Sequence, residues 1–169
     1  MNRFLSVLLL VFCFETCAVK AQNTDINILK KITTSRNSQY EKFQKGLSFS
    51  VYPALLLTPS SFVALGLLNK DTNQLNTGLC IGTGIALNTA MTIGLKYMIN
   101  RDRPYITYPE IKPIATEGTP SMPSGHTASA FNIATSLTLF YPKWYVAVPA
   151  YTWATGVAYS RMYIGVHYP

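Results

Sequence analysis

The sequence predicts an all-α protein, an antiparallel bundle of helices with its candidate site at one end. Apolar and aromatic residues make up 49% of the 169 residues, and charged residues only 12%. Four apolar stretches lack the strict alternation of apolar and polar positions that half-buried strands show. Each stretch is long enough for three or more helical turns, and they cover residues 47–68, 77–99, 127–141 and 144–160.

The charge balance limits the classes of partner. Fourteen Lys and Arg residues against seven Asp and Glu give a net charge of +7. On a chain this poor in charge, that excess favours an anionic partner or a membrane surface. The basic residues are scattered, without a Lys/Arg-rich arm or a recognisable nucleic-acid module, so nucleic acid is disfavoured as the partner. The length indicates a single domain.

The first 21 residues are typical of a secretory signal peptide. A positive start is followed by an apolar core over residues 4–14 and by the small-residue cleavage pattern Val19-Lys20-Ala21. An uncleaved anchor is the alternative, although Glu15 interrupts a run that is short for a membrane span. Both interpretations export the rest of the chain.

The cysteines exclude two classes of protein. Cys13 and Cys17 lie in the predicted signal peptide, so the mature chain keeps Cys80 without a partner for an internal disulfide. We therefore expect neither a disulfide scaffold nor a cysteine-ligated metal site.

Residues 22–46 are mostly polar, and we predict a short amphipathic helix or a loose lead-in there. The basic residues of this segment fit a solvated face, and attraction to an anionic membrane surface is the alternative. The apolar positions are Ile26, Ile28, Leu29 and Ile32, and the basic ones are Lys30, Lys31, Arg36, Lys42 and Lys45.

Polar or proline-containing segments divide the predicted helices. Residues 69–77 read as a polar turn, residues 104–122 as a long loop, and Pro142-Lys143 as a tight connection. Short turns make neighbouring helices antiparallel. Residues 78–95 hold eighteen positions without a charge, enough for a membrane span, whereas the third and fourth stretches are short enough for a soluble bundle. We favour membrane embedding.

The motif Pro123-Ser124-Gly125-His126 precedes the third apolar stretch and is typical of a phosphate cradle that opens a helix. Ser124 can cap free N–H groups, Gly125 lets a ligand approach the backbone, and His126 can donate a proton from the first turn. Ser-Gly before a helix is also an ordinary cap, and a first-turn His is often only solvated. The motif alone leaves both interpretations open.

A second cluster lies where the second helix ends, at Lys96 and Arg103-Pro104. Seven positions of about 100° each return to within roughly 20° of the start, so both cations share one face if the helix persists to Pro104. Two cations placed together favour an anion between them. A snorkelling pair at a membrane boundary, or a basic helix end, is the alternative.

A third cluster, Ser160-Arg161 with His167, ends the fourth helix. Arg binds phosphate through two parallel hydrogen bonds, and His can accept and release a phosphoryl group. Antiparallel connectivity places the end of the second helix, the start of the third and the end of the fourth on one side of the bundle. We therefore expect all three clusters to meet there.

Together the three clusters resemble the signature of the type 2 phosphatidic acid phosphatase superfamily, over residues 47–169. Its relatives include lipid phosphate phosphatases, bacterial acid phosphatases and vanadium haloperoxidases. The resemblance implies a metal-free hydrolase without cofactor, in which His167 attacks phosphorus and His126 protonates the leaving oxygen. The phosphate oxygens would be held by Lys96, Arg103, Ser124, the Gly125 amide and Arg161. Asp102 is expected to pair with Arg103 or to mark a helix end rather than to bind a metal.

The family pattern continues with an Asp four residues after the attacking His, whereas this sequence ends at Pro169. The final helix of the family is missing with it. We expect a fragment whose next residues supply that Asp, which leaves the activity of this chain in question.

Three function classes follow. The leading one is a phosphatase for mono- or diphosphate esters of lipids in the bacterial cell envelope, in the inner membrane with its site facing the periplasm. The others are a soluble periplasmic acid phosphatase of broad range and a non-catalytic membrane protein that binds an anion. A haloperoxidase is disfavoured because it would need vanadate and the chain is short. The loop with Tyr105, Tyr108 and Glu110 is expected to shape the opening for the substrate.

Overall fold

The computed structural model describes residues 24–169, and every regular element in that range is a helix. The all-α prediction is confirmed. The predicted signal peptide and its cysteines lie outside the described residues. The helices are α1 over residues 24–34, α2 Ser38–Phe49, α3 Val51–Asn69, α4 Thr72–Ile99, α5 Pro104–Thr107, α6 Gly125–Phe140 and α7 Trp144–Ile164.

Helix α4 begins earlier than the sequence pattern predicts. The Asp71 side chain accepts hydrogen bonds from the backbone N–H groups of Asn73 and Gln74, which makes it the N-cap. Lys70 adopts a left-handed conformation with φ of 55° and ends α3. The polar segment is therefore a two-residue turn followed by the first helical residues of α4, and this short turn makes α3 and α4 antiparallel.

The lead-in contains helix rather than loose chain where the structure describes it. Ile26 and Leu29 of α1 are buried and cluster with Ile111 of the long loop. Lys30 pairs with Glu110 of that loop at 2.8 Å. Helix α2 packs along α7, so the residues before the bundle support its site end.

Close packing of small residues joins the bundle. Helix α3 packs on α4, α4 on α6, and α6 on α7. The core between α3, α6 and α7 contains Val51, Ala130, Ala134, Ala154 and Val157. A Cβ atom at Gly78 of α4 would lie only 2.7 Å from a backbone nitrogen of α3, so any other residue there would push the two helices apart.

Two helical segments of the described chain are long and apolar enough to cross a membrane by length and composition. They are Ser38–Asn69 with a mean hydropathy of 1.7 and Thr72–Thr107 with 1.4. Their outward faces expose large apolar side chains, such as Leu57 at 62% and Met98 at 82%. Spans in α6 and α7 stay a prediction.

The helix order brings three helix ends to one end of the bundle. The C-terminal ends of α4 and α7 and the N-terminal end of α6 lie there, and residues 100–124 connect α4 to α6 across it. The backbone N–H of Ile114 donates to the carbonyl of Ile164, which fastens this long loop to the end of α7.

Candidate active site

Lys96 and Arg103 meet by a different route from the predicted helical one. Helix α4 ends at Ile99, Asn100 is left-handed with φ of 45°, and Arg103 is extended. The condition for a shared helical face, a helix that continues to Pro104, is therefore not met, because α4 ends at Ile99 and the left-handed Asn100 follows it. Both side chains instead reach the same stretch of loop, where Lys96 Nζ donates to the carbonyl of Pro120 and Arg103 Nε to that of Thr119.

Arg103 is buried in a fixed orientation, with 1% of its surface exposed. Nε donates to the Thr119 carbonyl at 2.7 Å and one terminal nitrogen to the Val166 carbonyl at 2.9 Å. The other terminal nitrogen donates to the Thr119 hydroxyl at 3.2 Å. Because the guanidinium is planar, these contacts fix which edge faces the cluster.

Arg161 lies in the last turn of α7, and a residue of α2 holds its side chain in place. One terminal nitrogen donates to the hydroxyl of Ser48 at 2.7 Å, and the residue is 5% exposed. Its other terminal nitrogen contacts the carboxylate of Glu117.

His167 follows the left-handed Gly165 (φ 84°), which ends α7 and turns the chain back into the cluster. Its Nδ1 lies 2.5 Å from the carbonyl oxygen of Ser121, and its Nε2 lies 3.4 Å from a terminal nitrogen of Arg103. A carbonyl only accepts hydrogen bonds, so Nδ1 holds the proton and Nε2 keeps its lone pair. Burial, then the charges of Arg161 and Arg103, lower the pKa of His167 to about 3, so the neutral imidazole is present at pH 7.

His126 lies in the first turn of α6. Its ring meets that of Tyr52 edge to face, with centroids 5.2 Å apart. The same four charged groups act on both imidazoles, so the structure brings the three predicted clusters together; these groups are Lys96, Arg103, Glu117 and Arg161.

Ser124 and Gly125 form the start of α6. Ser124 is the N-cap, and its hydroxyl accepts hydrogen bonds from the N–H and the hydroxyl of Thr127. The backbone of Gly125 is unstrained, and a Cβ atom there would make only an ordinary 3.9 Å contact with Thr92. The packing around Gly125 therefore does not require a glycine, and Gly125 lines the adjacent cavity.

A cavity of about 240 Å³ lies between α3, α4 and α6, beside His126. Lys96 is the cation on its wall, and the side formed by α3 is apolar and aromatic. The arrangement suits a molecule with an anionic end at the cluster and an apolar body. The lining includes Val51, Tyr52, Leu55, Thr92 and Ile93.

Residues 77–169, more than half of the chain, match the family model of the PAP2 superfamily. The chain belongs to the PAP2 superfamily. Among curated proteins, no sequence matches it.

Two solved structures share this PAP2 fold. One is a transmembrane PAP2-type phosphatidylglycerolphosphate phosphatase from Bacillus subtilis. The alignment covers 95% of this chain and 83% of the Bacillus subtilis chain, with 24% sequence identity and a TM-score of 0.72. LpxE of Aquifex aeolicus aligns with 86% of this chain and 84% of its own, at 25% identity and a TM-score of 0.72. The likeness extends over the whole bundle.

Glu117 is the site residue that sequence reasoning missed. Its carboxylate bridges the two buried arginines of this PAP2 chain, with one oxygen 2.6 Å from Arg103 and the other in contact with Arg161. Burial raises the pKa of Glu117, but Arg161 and Arg103 outweigh it and leave the pKa below its usual range. The expected partner of Arg103, Asp102, is therefore replaced by Glu117, because the loop folds back over the guanidinium.

Two other supporting residues were also missed, Ser48 and Ser121. Ser48 lies in the segment interpreted as the first apolar stretch, and Ser121 acts through its backbone carbonyl, which no residue pattern can indicate. Of the loop residues singled out from sequence, Glu110 pairs with Lys30 away from the site. The Tyr105 hydroxyl bonds the backbone of Glu117 and so shapes the loop beneath the site.

Metal binding has little support in this part of the PAP2 chain. Within residues 24–169, His, Cys, Asp and Glu side chains form no group of three or more that could hold a metal ion. The imidazoles lie among three cationic side chains, which would repel a divalent ion. A metal-free reaction stays a prediction with its own test.

Proposed function

We propose that this chain is a metal-free phosphatase that hydrolyses mono- or diphosphate esters of lipids through a phosphohistidine intermediate. The main support is the state of His167, whose unprotonated Nε2 lies beside Arg103 at the centre of three cations. Membership of the PAP2 superfamily supports the reaction class.

In the proposed first step, Nε2 of His167 attacks phosphorus while the bond between phosphorus and the ester oxygen breaks. The lone pair of Nε2 forms the new N–P bond, and the departing oxygen takes a proton from His126. The imidazole gains positive charge as the bond forms. The Ser121 carbonyl stabilises that charge through the proton on Nδ1.

The cations stabilise the transferring phosphoryl group. Charge spreads over three oxygens in the transition state, and fixed donors around them lower the barrier without reorganising. Arg103 and Arg161 are buried and held by hydrogen bonds, so they meet this requirement. Lys96 and the Gly125 amide supply the donors on the side of α4 and α6.

His126 must be protonated before the leaving oxygen departs. A bound phosphate dianion brings negative charge next to the ring and so favours its protonated form. In the second step water attacks phosphorus, His126 takes its proton, and inorganic phosphate leaves as the N–P bond breaks and His167 is restored.

A lipid substrate is supported by the surroundings of the cluster. The cavity beside His126 has an apolar and aromatic wall from α3, formed by Val51, Tyr52 and Leu55. Two helical segments are long enough to cross a membrane. The solved Bacillus subtilis protein of the same fold is described as transmembrane and acts on phosphatidylglycerolphosphate.

We further propose that the site faces the periplasm. The predicted signal peptide leaves the new N-terminus outside, so spans in α3, α4, α6 and α7 bring the site end back to that side. The basic lead-in opposes this orientation under the positive-inside rule. The signal acts first during export, and we give it the greater weight.

Phosphate release by the purified chain tests the proposal. We expect hydrolysis of phosphatidic acid in detergent micelles, unchanged by a chelator and inhibited by vanadate, which copies five-coordinate phosphorus. The His167→Ala variant is the control. Activity that chelation removes and only added metal restores would refute the mechanism. Hydrolysis of water-soluble esters alone favours the acid phosphatase, and phosphate binding without release favours the non-catalytic protein.

A further inference from the structure

We propose that the Glu117 carboxylate is an internal anion that occupies the phosphate position and must leave Arg103 and Arg161 before a substrate binds. This inference rests on the proposed function of the site and adds the control of its occupancy. In this role Glu117 is a specificity-determining residue that selects against singly charged anions.

The contacts of Glu117 are those expected of a bound phosphate. One carboxylate oxygen lies 2.6 Å from Arg103, and the second contacts Arg161. The two guanidinium groups come from distant segments, and both residues are buried, at 1% and 5% exposed. Oxygen atoms bridging two fixed arginines are the arrangement that proteins use for phosphate.

The charges of the cluster favour exchange of the carboxylate for a phosphate. Three cations and one carboxylate leave a formal charge of +2 around the imidazoles; the cations are Lys96, Arg103 and Arg161. When the carboxylate leaves, the three cations carry a formal charge of +3, and a phosphate monoester dianion compensates more of that charge than a carboxylate does while it replaces both contacts of Glu117 with charge-assisted bonds. A singly charged diester offers no more charge than the carboxylate that it must displace. The cluster therefore discriminates in favour of doubly charged esters.

The side chain of Glu117 has space into which it can move. A second cavity of about 350 Å³ lies beside it, lined by Asn100, Arg101 and Gly118 among others. The side chain is 30% exposed, and apart from the two neighbouring residues in the chain, no atom of the described residues lies within 4 Å of a Cβ placed at Gly118. The Tyr105 hydroxyl holds the backbone N–H and carbonyl of Glu117. Rotation of the side chain alone can thus vacate the site while the loop stays in place.

Binding of inorganic phosphate to the full chain, measured by calorimetry at pH 7.5, tests the inference. The neutral variant Glu117→Gln removes the competing charge and keeps the shape. We expect the phosphate affinity of this variant to exceed that of the wild type by about tenfold or more, because one charge-assisted hydrogen bond contributes a change of that size. The matched control is Glu110→Gln, an acid of the same loop that pairs with Lys30 outside the site, and it should bind like the wild type.

Equal or weaker phosphate binding by Glu117→Gln would overturn the inference and make Glu117 a brace for the arginines. So would equal tightening in Glu110→Gln, which would indicate a general charge effect. If Glu117→Gln unfolds in phosphate-free buffer, thermal unfolding is measured with added phosphate. Recovery of the wild-type midpoint supports the inference, and failure to recover contradicts it. These measurements need no turnover, so a chain without phosphatase activity refutes the proposed function separately.

Discussion

The Nδ1 atom of His167 lies 2.5 Å from the backbone carbonyl oxygen of Ser121, 46 residues earlier in the chain. Ser121 is itself fixed, because its backbone N–H and its hydroxyl both donate to the Arg101 carbonyl, and the hydroxyl also donates to the Asp102 carbonyl. The main chain thus sets the tautomer of the imidazole that is proposed to attack phosphorus.

The first prediction is that His167→Ala forms no acid-labile phosphoenzyme. The side chain is the one whose unprotonated nitrogen faces the buried arginines, so its removal leaves no atom placed to attack phosphorus. Rapid mixing with ³²P-labelled substrate and acid quench reads the result. Label bound to the variant protein would show that another residue is the nucleophile.

The second prediction is that the loss in His126→Ala depends on the leaving group. General-acid assistance is commonly worth about 10²- to 10⁴-fold in rate for poor alkoxide leaving groups and much less for aryl oxides. We expect a large loss of kcat on alkyl phosphates and a small one on p-nitrophenyl phosphate. Equal losses on both substrates would remove His126 from the role of proton donor.

The third prediction concerns Ser48, which acts through Arg161. In Ser48→Ala the buried guanidinium loses the acceptor of one terminal nitrogen, at a cost of about 1–3 kcal/mol to the free energy of unfolding. Because Arg161 is then less well positioned, phosphate affinity should fall about tenfold while the variant still binds through Arg103. Ser60→Ala is the matched control, since that exposed hydroxyl bonds only to its own helix. Calorimetry and thermal unfolding give both values; unchanged phosphate affinity would mean that Ser48 has no positioning role.

The fourth prediction is a loss of stability of the empty protein as the pH falls from 7 to 5. Folding lowers the pKa of His167 to about 3, whereas an unfolded His titrates near about 6.5. Below that value the unfolded state binds more protons, so acid favours unfolding by about 1 kcal/mol per pH unit. His167→Gln should flatten the dependence of the melting temperature on pH. An equally steep slope in the variant would contradict the lowered pKa of the imidazole.

The fifth prediction places the exposed Thr116 on the periplasmic side of the membrane. In a Cys80→Ser background, Thr116→Cys should react with an impermeant maleimide in intact cells. Asn73→Cys, exposed at the opposite end of the bundle, should be protected until the cells are opened. The reverse pattern would place the site in the cytoplasm.

Sequence predicted the helices and the cationic residues because both depend on local patterns. Apolar runs of helical length fixed α3, α4, α6 and α7 to within a few residues, and helix order alone brought Lys96, His126 and Arg161 together. The path of the loop was not predictable, because the residues after Asn100 form no regular element until α6 apart from one short helical turn. Glu117 escaped notice for the same reason: Asp102 is adjacent to Arg103 in sequence, and only the path of the loop places Glu117 against the guanidinium.

The contact between Ser48 and Arg161 joins residues 113 positions apart. Closing so long a segment costs more chain entropy than pairing two helices that are adjacent in sequence. The pairs α3–α4 and α6–α7 can therefore associate before the contact between Ser48 and Arg161 forms. The site is then among the last parts of the molecule to be assembled. A preparation can therefore show full helical circular dichroism while part of its population has no intact anion-binding centre.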